Sequence, residues 1–95
     1  MRISSENIAK IKEIFSKHFT NGKILLFGSR TDDKKKGGDI DLLILSDEKL
    51  KFNQISNFRF DLQKQIGDRK IDILNYQFNE KSIFLENIIE KAIEI

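Results

Sequence analysis

Between positions 5 and 19, Ile8, Ile11, Ile14, Phe15 and Phe19 fall within one arc at about 100° per residue, the pattern of an amphipathic helix. Ser4 or Ser5 can cap its start, and Asn21-Gly22 ends it. Positions 23–27, Lys-Ile-Leu-Leu-Phe, form a short continuous apolar run that predicts a strand buried on both faces. A polar connection over 29–38 follows, holding Asp32, Asp33 and the lysines 34–36 before Gly37-Gly38. Positions 39–45 alternate, with Asp39, Asp41, Leu43 and Leu45 on one face and Ile40, Leu42 and Ile44 on the other. A second helix is predicted over about 47–66, burying Phe52, Ile55, Phe58, Leu62 and Ile66 and stopping at Gly67, while Phe60 falls off that stripe. A third strand spans 69–75, with Ile71 and Ile73 opposed to Lys70, Asp72 and Leu74. From about 79 to the end, Phe84, Leu85, Ile88, Ile89, Ala92, Ile93 and Ile95 predict a third helix with a wide apolar arc. The pattern is that of an α/β chain of the α+β kind, with about three strands and three helices.

Composition narrows the class. Ninety-five residues leave room for one domain, 1–95, with one core. The hydrophobic share of 39% and charged share of 34% fit an ordinary globular protein, and no apolar run approaches the length of a membrane span. The absence of cysteine excludes disulfides and thiolate-ligated metals and points to a reducing cytoplasm, and the charged, polar start is unlike a signal peptide. A net charge of +2 is too even for a dedicated nucleic-acid-binding protein.

The chemistry lies in three aspartates placed where folding alone calls for aliphatic residues. Asp39 and Asp41 share a strand face about 6.8 Å apart at Cα, within reach of one cation. Asp72 joins them if the third strand neighbours the second, and carboxylates so gathered repel one another unless a cation intervenes. Such hard oxygen ligands suit Mg²⁺ or Mn²⁺. Taken singly, Asp39 also reads as the start of a strand and Asp41 as an edge-facing polar residue. Upstream, Phe27-Gly28-Ser29-Arg30 follows a buried strand, so that glycine admits a ligand close to the backbone while Ser29 and Arg30 supply a hydroxyl and a charge for phosphate. It is not a Walker A loop, since Gly22-Lys23 is followed by Ile24. The lysine run reads either as a solvated loop or as a phosphate contact. His18, Asp47, Asp61 and Asp68 are assigned packing, capping or solvated positions, and Tyr76 either contacts a nucleotide or seals the core.

Gly28-Ser29, then Asp39-Ile40-Asp41, then Asp72 within a later strand, is a constellation that resembles the minimal nucleotidyltransferases of the DNA-polymerase-beta-like superfamily. The resemblance implies a small mixed sheet packed with helices, the polymerase-beta-like palm. It implies nucleoside triphosphate, ATP as substrate, bound by Gly28, Ser29 and Arg30, and two Mg²⁺ ions (or Mn²⁺) held by Asp39, Asp41 and Asp72. Thr31-Asp32-Asp33 departs from the family, whose small members frequently carry a second arginine there. Small proteins of this kind often serve as the antitoxin beside a helical HEPN-type ribonuclease toxin, and some transfer AMP onto a tyrosine of that toxin. The expectation is therefore a protein adenylyltransferase antitoxin with a HEPN-type partner. The alternatives are a binding antitoxin that neutralises without catalysis and a free-standing enzyme adenylating a small molecule. The broad last helix and Phe60 suit a partner or a second copy in a homo-oligomer.

Overall fold

The computed structural model describes residues 4–27, 40–67 and 70–95. The Ser4 hydroxyl accepts the Asn7 N–H at 3.1 Å and so opens α1 (Ser5–His18), which stops where Phe19 turns to extended backbone. Gly22 leads into β1 (Lys23–Phe27) at φ 124°, where a Cβ would meet the Leu45 carbonyl oxygen at 2.7 Å. Only glycine fits so close an approach. β2 (Ile40–Ser46) pairs antiparallel with β1 and parallel with β3 (Ile71–Gln77), and α2 (Phe52–Ile66) makes the crossover between the two parallel strands.

The last stretch differs from the sequence expectation. Instead of a helix to the end, α3 (Ile83–Lys91) gives way at Ala92 to β4 (Ile93–Glu94). Strand β4 pairs antiparallel with β1, and the Ile95 N–H reaches the Ile24 carbonyl at 3.1 Å. The open side of β1 offers hydrogen bonds to a β-branched segment that helix propensity alone would leave helical. The sheet is thus four-stranded and mixed, in the order β3-β2-β1-β4.

Helix α2 also begins later than expected, at Phe52 instead of near Asp47. Local hydrogen bonds hold the preceding residues out of a helix. The Ser46 hydroxyl donates to the Glu48 carbonyl at 2.7 Å, Leu50 N–H donates to the Asn75 side-chain oxygen at 2.8 Å, and Gln77 donates to the Asp47 carbonyl at 3.1 Å. Phe52, placed by periodicity in the buried stripe, lies in the first turn and is 83% exposed. Phe60 is exposed as expected, with the Lys64 ammonium over its ring.

Two apolar layers sandwich the sheet. Ile11, Ile14 and Phe15 of α1 and Phe58, Leu62 and Ile66 of α2 pack on Ile24, Leu26, Ile40, Leu42, Ile44 and Ile71. Leu85 and Ile88 of α3 cover Leu25 and Leu43 on the opposite face, with Phe27, Leu74 and Tyr76 at the margin. No helix among the described residues is long and apolar enough to cross a membrane. Phe58 is the centre of the larger layer, fully buried with its ring edge-on to Phe15, Phe19 and His18 at centroid distances of 5.9, 5.4 and 5.7 Å. Phe58→Ala is expected to cost about 3–5 kcal/mol, read as a lower urea midpoint at unchanged slope.

His18 packs as expected and makes a contact the sequence did not signal, for its Nε2 lies 2.6 Å from Asp61 Oδ2 and ties α1 to α2. That hydrogen bond, aided by Lys64, holds the Asp61 carboxyl below the usual carboxylate value. A depressed folded value contributes stability above the ordinary carboxylate pKa that is lost as pH falls through the lowered one. Asp61→Asn should therefore lower the melting temperature at neutral pH, and the gap from wild type should close in acid, which a melting series across pH checks.

Candidate active site

Parallel pairing of β2 with β3 sets Asp41 directly beside Asp72. Both stand on the face that carries Leu43, Leu45, Leu74 and Tyr76, away from α1 and α2. Asp41 is half-buried and Asp72 exposed, and neighbouring strands hold the two backbones about 4.8 Å apart. On the other side of β2, Asp41 pairs with Phe27, the residue that precedes Gly28 in the chain. The alternation read from the sequence is therefore the alternation of the fold, and two of the three predicted carboxylates share one face. Asp39, Gly28, Ser29 and Arg30 lie outside the described residues, as do the lysines 34–36 and Asp68.

The start of β3 is tied to α2 by Arg59, whose Nε donates to the Ile71 carbonyl at 3.0 Å, one residue before Asp72. Its other end is held by Asn75, which is buried and donates to the Ile44 carbonyl and the Ser46 hydroxyl, both at 3.0 Å. Lys49 donates to the Asn75 carbonyl at 2.7 Å and lies 5.1 Å from the centroid of the Tyr76 ring. These ties set the position of β3 against β2 and hence of Asp72 against Asp41. Sequence reasoning missed them: Arg59 sits between two phenylalanines on a helix without distinguishing pattern, whereas Asn75, a polar interruption like Asp72, carried a legible signal. Tyr76, half-buried in the α3-side layer under Lys49, seals the margin of the core.

The model of the family called Polymerase beta, Nucleotidyltransferase matches residues 9–95, and the chain belongs to that family. No curated protein matches it. Among solved structures, its fold is similar to the complex of a tri-AMPylated HEPN toxin with an MNT antitoxin from Shewanella oneidensis. That match has a TM-score of 0.74 and 17% identity, over 97% of this chain and 71% of the other. A mutant of the toxin–antitoxin pair MntA–HpeT follows at 0.70 and 20%, over 94% and 70%. A further structure, provisionally called a nucleotidyltransferase, matches at 0.63 and 25%, over 96% of this chain and 99% of that one.

Like charges on directly neighbouring strand positions destabilise a sheet. With divalent ions chelated, Asp72→Asn is expected to stabilise the chain by a few tenths to about 1 kcal/mol at low ionic strength. Thermal unfolding with and without added salt checks this, the difference shrinking as salt rises.

Proposed function

We propose that the protein is a Mg²⁺-dependent nucleotidyltransferase that moves AMP from ATP onto a hydroxyl of a HEPN-type toxin, and so acts as its antitoxin. The observation that carries this reading is the Asp41–Asp72 pair, set side by side by β2 and β3 in a chain of the nucleotidyltransferase family. The toxin partner is suggested by the similar complexes, one of which holds an AMPylated HEPN toxin.

The donor set fits a hard divalent cation, for the two carboxylates face the same side of the sheet, where Leu43, Leu74 and Tyr76 continue that face. Asp41 and Asp72, with Asp39 by its spacing, would hold the ions. When bound, Mg²⁺ supplies positive charge against the triphosphate and the oxygens that gain charge during transfer. Asp72, on the edge strand, accepts the proton of the acceptor hydroxyl. The acceptor oxygen forms a bond to the α-phosphorus as the bond to the β-phosphate bridge breaks, and pyrophosphate leaves. Gly28, Ser29 and Arg30 cradle the triphosphate in this reading.

Co-expression with the toxin, then ATP and Mg²⁺, should add the mass of one or more AMP groups to the toxin in intact-mass spectra. Asp41→Asn and Asp72→Asn should each lower the rate by at least about a hundredfold. An unchanged toxin mass in a fully formed wild-type complex excludes the transferase. Exposed Ile83 and Phe84 on α3 favour the second reading, neutralisation by binding alone, which predicts that both variants still suppress the toxin.

A further inference from the structure

Along β3 the hydrogen-bonding groups divide by parity. The Lys70 carbonyl accepts the Ile40 N–H at 2.9 Å, and the Ser46 carbonyl accepts the Phe78 N–H at 3.0 Å. In a parallel ladder alternate residues turn both backbone groups to the same neighbour, so even positions face β2 and Ile71, Ile73, Asn75 and Gln77 face outward. β3 is an edge of the sheet. Four of its outward groups are occupied: Arg59 holds the Ile71 carbonyl, Lys49 the Asn75 carbonyl, and at Gln77 the N–H donates to the Glu80 carboxylate at 2.9 Å while the carbonyl accepts the Glu80 N–H at 3.1 Å. Between these guards, no group among the described residues meets the N–H or C=O of Ile73. Among the described residues Ile73 is thus the outward position of β3 with both backbone groups open, and it adjoins Asp72.

We infer that this place is where the acceptor protein docks, an extended segment of it joining the sheet beyond β3. The inference rests on the transferase reading above and specifies how its acceptor is presented. A backbone donor and acceptor spaced on one edge residue are complemented by another backbone. A residue of an added antiparallel strand exchanges both bonds with Ile73, and the next one along lies opposite Asp72. Directly opposed residues share a face, with Cβ atoms about 4.5–5.5 Å apart. A hydroxyl side chain at that position stands beside the carboxylate that takes its proton. A polypeptide also suits the near-even charge of the chain better than a polyanion, and the acceptor in the similar Shewanella oneidensis complex is a protein.

The test uses the full chain assembled by ligation with the Ile73 amide replaced by an ester, which deletes one outward N–H and leaves the Asp72 carbonyl in the β2 ladder as a weaker acceptor. Ile73→Pro serves as a second variant, since proline is tolerated where an edge N–H faces out. Expected are a three- to tenfold or so weaker affinity for the acceptor protein and a matching fall in transfer rate. The free ester chain should keep wild-type Mg²⁺ affinity and show only a small drop in urea midpoint from the weakened ladder acceptor, so a weaker acceptor affinity is read on a folded chain. In the wild-type complex the Ile73 amide should become protected from hydrogen exchange. Transfer by the ester chain at the wild-type rate, or an Ile73 amide that exchanges in the complex as in the free chain, overturns the docking alone. A complex that protects Ile73 yet transfers nothing removes the transferase reading and the acceptor role with it. Protection in the free chain that rises with its own concentration assigns the edge to self-pairing and overturns the proposal.

Discussion

The register between β2 and β3 is the constraint on which the site depends. A slip of one residue turns every side chain of β3 to the other face. It would carry Asp72 into the layer where Ile71 and Ile73 now pack beneath α2, and bring those isoleucines out beside Asp41. Burial of aliphatic residues on the α1–α2 side and placement of carboxylates on the α3 side are thus one choice. Asn75 enforces it from the far end, since its amide bridges to Ile44 and Ser46 of β2 only in this alignment.

Much of this was legible because a strand has a period of two. Runs such as Ile40-Asp41-Leu42-Leu43 and Lys70-Ile71-Asp72-Ile73 disclose which side chains share a face, though not which strands are neighbours. Adjacency of β2 and β3 comes from the parallel crossover through α2, which no local pattern fixes. The helical faces were legible for the same reason, with Phe58, Leu62 and Ile66 buried as their spacing requires. Failures fell at ends. Segment 47–51 has helical composition, but competing hydrogen bonds from Ser46, Asn75 and Gln77 draw it into an irregular path. Ile93 and Ile95 continue an apolar helical arc on paper, yet the segment they belong to is recruited by the free side of β1. In both cases a tertiary partner outweighed a local preference.

At the site, the carboxylates were visible because they are costly exceptions to an apolar pattern, whereas the groups that position them were not. Arg59 and Lys49 act through their reach across an edge, donating to carbonyls of Ile71 and Asn75. Long flexible cations on helices and connections are common, and only the folded arrangement reveals what they grip. The His18–Asp61 bond belongs to the same class.

The two apolar layers are unequal, and the inequality separates duties within a small molecule. The larger layer, built on Phe15, Phe19 and Phe58, holds no member of the acidic pair, while the thinner one under α3 borders it. Loss of both carboxylates would leave the heavier layer untouched, so a descendant could shed its chemistry and persist as a pure scaffold. The converse drift is barred, because erosion of the aromatic layer dissolves the platform on which any chemistry stands.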